Sequence, residues 1–277
     1  MSIFICSIDT NVYFTKDVYY LKFREREMKY IPGGEKTQDN LILKMDELNE
    51  EQAFSLIMEL LSSLSFGLNA VFDSEGGNIN HLEKFDWKTV ACSTVGNRRV
   101  LRVQSMEDFV YVRPLKSDKE IMLARLYRTA LACNDIYSQI LFFWHCLCYS
   151  KIEENKIDES KVVGLINRYH QNIPKEMDIN KGDIEFILKE PFFSKNYDSV
   201  LTIGEYIQKG IRHSIAHIVR DIKHNEKGLE IDSLQELRHL HKVKNILKAM
   251  SRYRMEYDLE MKRPDDSNYF TYFIPCT

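Results

Sequence analysis

LTIGEYIQKGIRHSIAHIVRDIKH (Leu201–His224) is the stretch on which the C-terminal half of this chain turns. Ile203, Ile207, Ile211, Ile215 and Ile218 return every three or four residues, the spacing that lines one face of an amphipathic helix. On that helix lie Arg212 and His217, separated by four residues. An arginine and a histidine fall at this spacing by chance in many proteins, so the pair takes its meaning from its surroundings.

The surroundings are helical. Ile121–Glu154 has a wide apolar face built from Leu123, Leu126, Ala130, Ile136, Ile140, Leu141, Phe143, Trp144 and Leu147, which suits the centre of a bundle. It reads as one long helix or as two joined at Ala132-Cys133-Asn134-Asp135. Ser160–His170 and Asp183–Leu188 are shorter helical segments, with Glu190–Asp198 a loop. Ile231–Glu260 is again long and amphipathic, with Asp232 or Ser233 as its cap. The aromatic tail from Pro264 to Thr277 is extended.

These residues carry a resemblance. LARLYRTALACNDIYSQILFFWHCLCYSKIEEN (Leu123–Asn155) is similar to the first helical hairpin of the HEPN superfamily of helical ribonucleases, and SVLTIGEYIQKGIRHSIAH (Ser199–His217) resembles its lead-in and R-x4-H motif. The resemblance covers roughly residues 119–262. Two positions depart from it: His213 stands where Asn is common, and Val219 where some members have Tyr.

The resemblance implies a metal-independent RNA endonuclease with Arg212 and His217 as catalytic residues, and His213, Ser214 and Arg220 in support. The chemistry suits those side chains. A histidine that titrates near neutrality accepts the proton of a 2′-hydroxyl or donates one to the departing 5′-oxygen. A guanidinium stays charged and matches phosphate oxygens in a fork. Attack by the 2′-oxygen leaves a 2′,3′-cyclic phosphate and a 5′-hydroxyl. Residues five apart are about 140° apart around a regular helix, so one helix alone presents the pair poorly. His213, His217 and Arg220 share a face more closely. In the family two such helices meet across a homodimer, and the same is expected here. The resemblance further implies a toxin or antiviral defence effector. The alternative is a catalytically inactive dimer of the same fold that serves as a binding, scaffold or antitoxin module.

Charge has a local bias. The whole chain has a formal net charge of −3, which advertises no global affinity for nucleic acid. Between Glu205 and Arg263, however, 13 Lys and Arg stand against 9 Asp and Glu, and five of the eight histidines fall there. Lys223, Lys242, Lys244, Lys248 and Arg252 are the expected RNA-binding residues, with solvated helix faces as the plainer reading.

Residues 1–118 read as a separate mixed domain, which makes the chain α+β: an N-terminal α/β domain, then an all-α HEPN-like bundle over 119–277. Ser2–Ser7, Val12–Phe14 and Val18–Phe23 have the β-branched and aromatic character of strands. Pro32-Gly33-Gly34 opens a polar loop to Asn40, and Asp46–Phe66 is a helix capped by Asn49 or Asp46. Asn69–Phe72, Trp87–Ser93, Arg98–Gln104 and Phe109–Val112 are further strand candidates, with turns at Gly76-Gly77 and Val95-Gly96-Asn97. This domain has no glycine-rich phosphate loop, so no nucleotide cofactor is expected. A regulatory partner or ligand is its expected role.

Composition limits the remaining classes. Hydrophobic residues are 44% and charged residues 29%, a globular balance. No apolar run approaches the roughly 20 residues of a membrane span. Ile3–Cys6 is too short for a secretory core, so the expected location is cytoplasmic. Cys6, Cys92, Cys133, Cys146, Cys148 and Cys276 follow no framework spacing. His213 and His217 at i, i+4, with His224 or His239 and His241 as further ligands, are a metal-binding alternative that lacks acid or cysteine partners at the usual spacing, so no metal is expected.

Overall fold

The computed structural model describes residues 2–34, 37–82, 87, 94–95, 104–106, 115–150, 158–189, 202–216, 233–261 and 273–274. Most of the strand candidates between 87 and 112, and the loop at 190–198, lie outside that set. The fold is α+β, an antiparallel sheet region followed by helices over residues 118–258. The chain forms two compact units, Met1–Ala132 with Met261–Thr277, and Cys133–Glu260.

The first unit is built on a sheet of order β6-β1-β5-β4-β3-β9, from β1 (Ser2–Thr10), β3 (Tyr19–Phe23), β4 (Arg26–Ile31), β5 (Thr37–Met45), β6 (Phe72–Leu82) and β9 (Phe273–Ile274). All five pairings along this path are antiparallel. Alternation along β1 divides its apolar residues between two faces. Phe4, Cys6 and Ile8 join Leu41, Leu43 and the apolar stripe of α1 (Glu50–Leu68). Ile3 and Ile5 join Ile42 with Ile31, Leu82 and Trp87. β7 (Thr94–Val95) pairs with β5, and β2 (Val12–Phe14) pairs in parallel with β8 (Gln104–Met106).

Several local readings change here. β4 carries no strand signal strong enough to be read alone, and its hairpin with β3 turns through Arg24 and Glu25 at φ 49° and 62°. That turn asks for left-handed residues, and no Asn-Gly or Asp-Gly marks it. Residues 37–40, expected in a loop, begin β5, where Gln38, Asp39 and Asn40 are buried and the Asp39 carboxylate accepts from Tyr30 Oη at 2.6 Å and Gly33 N at 2.8 Å. Gly76-Gly77, expected as a turn, lies inside β6, where the pairing shifts between Cys6–Ile79 and Ile8–Ser74. The glycines thus lie where the β1–β6 register is interrupted. Asn49 is the α1 cap, accepting from Gln52 N at 2.9 Å.

The helix α2 (Asp118–Ala132) belongs with this first unit. Tyr127 donates to Asn69 Oδ1 at 2.8 Å, and Arg128 pairs with Asp73 at 2.9 Å. The tail strand β9 returns to β3. The first unit therefore takes in residues on both sides of the boundary read near 118.

The second unit begins with a break in the helix at residues 133–135, where two helices were one of the two readings. It contains α3 (Ile136–Ser150), α4 (Glu159–Gln171), α5 (Lys181–Lys189), α6 (Ile203–Glu205), a π-helical turn (Tyr206–Arg212), α7 (His213–Ala216) and α8 (Leu234–Tyr253), which ends in a second π-helical turn (Arg254–Asp258). Ser233 caps α8, accepting from Glu236 N at 3.4 Å. Phe143, Trp144 and Leu147 of α3 and Val243, Leu247 and Met250 of α8 are buried core, and Ser251 Oγ donates to the Phe143 carbonyl at 3.0 Å. Among the described residues no helix is long and apolar enough to cross a membrane.

Candidate functional site

The segment 202–216 starts at Thr202, whose hydroxyl accepts from Glu205 N while Glu205 Oε2 accepts from Thr202 N at 3.0 Å. This reciprocal cap fixes the first turn. Ile203, Ile207 and Ile211 are buried, as their spacing predicts, and Tyr206 joins them. The helix then widens: His213 N bonds to the Gln208 carbonyl, five residues back. Arg212 is the last residue of this π-helical turn, a rare geometry frequent at functional sites.

Gly204 determines what stands opposite. A Cβ there would lie 2.6 Å from the Val163 carbonyl oxygen and 2.9 Å from Asn167 Oδ1, so α6 approaches α4 more closely than any side chain allows. Asn167 completes the seam, accepting from Gly204 N at 2.8 Å and donating to Thr202 Oγ1 at 3.0 Å. The first helical residue of α4 is Glu159, next to the cap Asp158. The close seam carries its carboxylate to Arg212.

The guanidinium of Arg212 meets Glu159 Oε1 through Nη2 at 2.7 Å, and Gln208 Nε2 donates to Glu159 Oε2 at 2.9 Å. Both carboxylate oxygens are thus engaged from one helical segment. The pair is partly exposed, 22% for the Arg212 side chain and 29% for Glu159, so solvent reaches it. From α3, His145 and Cys148 feel the same two charges. Burial and then Arg212 lower the His145 pKa below its usual value, against an upward pull from Glu159. Burial chiefly, with Glu159, pushes the Cys148 thiol up to about 12, so it is not a thiolate near neutral pH.

His217, Arg220 and Lys223 lie outside the described residues, so only Arg212 of the expected catalytic pair has a described position. His213 and Ser214 are half-buried, and Ser214 Oγ donates back to the Gly210 carbonyl at 2.7 Å. The expected RNA-binding residues on α8 have different surroundings. Lys242 pairs with Asp183 at 2.5 Å and Arg252 with Glu256 at 2.7 Å, while burial lowers the pKa of Lys244 and Lys248. Glu159, Gln208 and His145 were not singled out by the sequence. Glu159 offered one signal, an acid immediately before the helical segment read at Ser160–His170, but that position favours acids in any helix.

His239 is also claimed by the interior. Its Nε2 is 2.7 Å from Tyr206 Oη, and burial holds its pKa down at about 4. Among the described residues no three His, Cys, Asp or Glu side chains converge as a metal-ligand set.

No curated protein and no solved structure matches this chain. Residues 123–256, just under half of it, are similar to a known family: they match the model described as methylamine utilization protein MauJ, over a stretch that contains His145, Glu159, Gln208 and Arg212.

Proposed function

We propose that the chain is a metal-independent RNA endonuclease of the HEPN type, active as a homodimer and serving as a toxin or antiviral defence effector. Arg212 binds the scissile phosphate, and His217, five residues on, takes the proton of the 2′-hydroxyl. The 2′-oxygen bonds to phosphorus, the bond to the 5′-oxygen breaks, and His217 of the second copy protonates that oxygen. The products are a 2′,3′-cyclic phosphate and a 5′-hydroxyl end.

The observation that carries this reading is the Arg212–Glu159–Gln208 arrangement. A guanidinium has five N–H donors in a rigid fork. Glu159 engages Nη2, which orients the group while other donors remain for phosphate oxygens. Orientation by a second side chain is what a charge-stabilising arginine needs, since misplacement by about 1 Å costs on the order of 100-fold in rate.

A second reading draws on the same contact. Glu159 already balances the Arg212 charge, as in an ion pair that only ties two helices, and the dimer would then be a catalytically inactive binding, scaffold or antitoxin module. Cleavage of total RNA in EDTA separates the two, with wild type beside Arg212→Ala and His217→Ala. Cyclic-phosphate ends that vanish in both variants support the nuclease. A folded wild-type dimer that leaves a broad panel of RNAs intact supports the module.

A further inference from the structure

The helix α8 carries a row of cations on one flank. Lys244, Lys248 and Arg252 follow at intervals of four residues, so they share a face. Successive members stand about 6 Å apart along the axis. The row flanks the buried stripe of Leu240, Val243, Leu247 and Met250, and its members are half-buried. The exposed His241 lies on the same side, one turn before Lys244, whose charge helps lower the His241 pKa after burial.

The two lysines of the row differ from Lys242 and Arg254 in how their charge is met. Lys242 pairs with Asp183 and lies 4.8 Å from the centre of the Phe186 ring, and Arg254 pairs with Asp258 at 2.7 Å. Among the described residues, Lys244 and Lys248 have no carboxylate within ion-pair distance. Asp178 acts on Lys248 from beyond that distance, and Arg252 holds Glu256 at 2.7 Å. Burial lowers both lysine pKa values, and Lys244 and Arg252 lower that of Lys248 further. Like charges one turn apart oppose the helix, and half-burying an amine opposes its charged form. The fold carries both costs at one face, and a bound polyanion relieves both.

We propose that Lys244, Lys248 and Arg252 bind the phosphate backbone of single-stranded RNA, each cation serving one of a run of phosphates. The choice of RNA rests on the nuclease reading above; the spacing of the row and the lack of a carboxylate near its two lysines among the described residues do not. A lone small anion would occupy one or two members, whereas a regular row suits a regularly repeating anion. Lysine ammonium groups are point charges that read no base edge, so the row holds RNA of any sequence.

The test is binding of a fluorescein-labelled 2′-O-methyl RNA 12-mer, which cannot be cut, to the full chain across a range of salt. The wild type binds, and Lys244→Gln with Lys248→Gln weakens binding at least tenfold at low salt. The same pair lowers the slope of log affinity against log salt by about 1.4, from roughly 0.7 per lost single-strand contact. Lys22→Gln in the first unit leaves both unchanged, and Lys244→Arg with Lys248→Arg keeps most of the affinity. On the wild type itself, bound RNA protects Lys244 and Lys248 from acetylation, a readout independent of variant folding. Unchanged slope in the glutamine pair, no protection, or no RNA binding at all overturns the row. Binding to this row together with failure to cut ordinary RNA removes the nuclease reading and keeps the row.

Discussion

The Arg212 guanidinium and the Glu159 carboxylate, 2.7 Å apart, join the end of a π-helical turn to the first turn of α4. This contact makes Glu159 the residue whose loss separates an oriented arginine from a present one. Glu159→Gln keeps the shape and removes the charge. On the proposed nuclease reading, cleavage by this variant falls about tenfold or more, while Arg212→Ala abolishes it. Equal cleavage by wild type and Glu159→Gln would mean that Arg212 needs no orienting partner.

After burial, the same pair acts on the titration of His145. Arg212 lowers its pKa and Glu159 raises it, with burial the larger downward cause. Nitrogen-detected histidine titration by NMR therefore finds the His145 pKa higher in Arg212→Gln and lower in Glu159→Gln than in wild type. Shifts in the opposite directions, or none, would place His145 away from the pair.

Gly204 gives a stability test of the seam beneath the site. Alanine favours a helix over glycine by about 1 kcal/mol, so an open site would gain from Gly204→Ala. Here the added Cβ meets the Val163 carbonyl oxygen at 2.6 Å, and a backbone atom yields less than a side-chain end. The variant is less stable by about 1–3 kcal/mol, read as a lower midpoint in urea. A higher midpoint would contradict the close approach of α6 and α4.

His239 ties stability to pH. Its folded pKa, about 4, lies below the ordinary histidine value of 6.5. Between those values the unfolded chain binds the proton and the folded chain does not, so stability is whole above about 6.5 and is lost as pH falls towards 4. The full shift corresponds to roughly 3 kcal/mol. His239→Gln removes this titration. The stability gap between wild type and variant therefore narrows as pH drops from 7 to 4, measured by urea unfolding at each pH. A constant gap would mean that His239 titrates normally.

Much of the architecture was legible before any coordinates. The isoleucines at 203, 207 and 211 announced their helix and their buried face, because a 3.6-residue period is a local property of the chain. Asn49 and Ser233 stood among the caps that the sequence offered, for the same local reason. The β3–β4 hairpin escaped because Arg24 and Glu25 adopt left-handed conformations without glycine or asparagine to mark them.

The sequence by itself determined that this is an α+β chain, that its C-terminal half is helical, and that Arg212 lies on an amphipathic helix there. Only the tertiary structure decided what Arg212 meets. Glu159 is 53 residues away, and no period or spacing links two positions whose contact depends on a missing Cβ at Gly204. Likewise, Lys242 and Lys244 are alike as letters. Their difference, one paired with Asp183 and one without a carboxylate in reach among the described residues, arises from which helix face packs against α5. Local periodicity is written along the chain, whereas charge pairing depends on distances that exist only once the helices have packed.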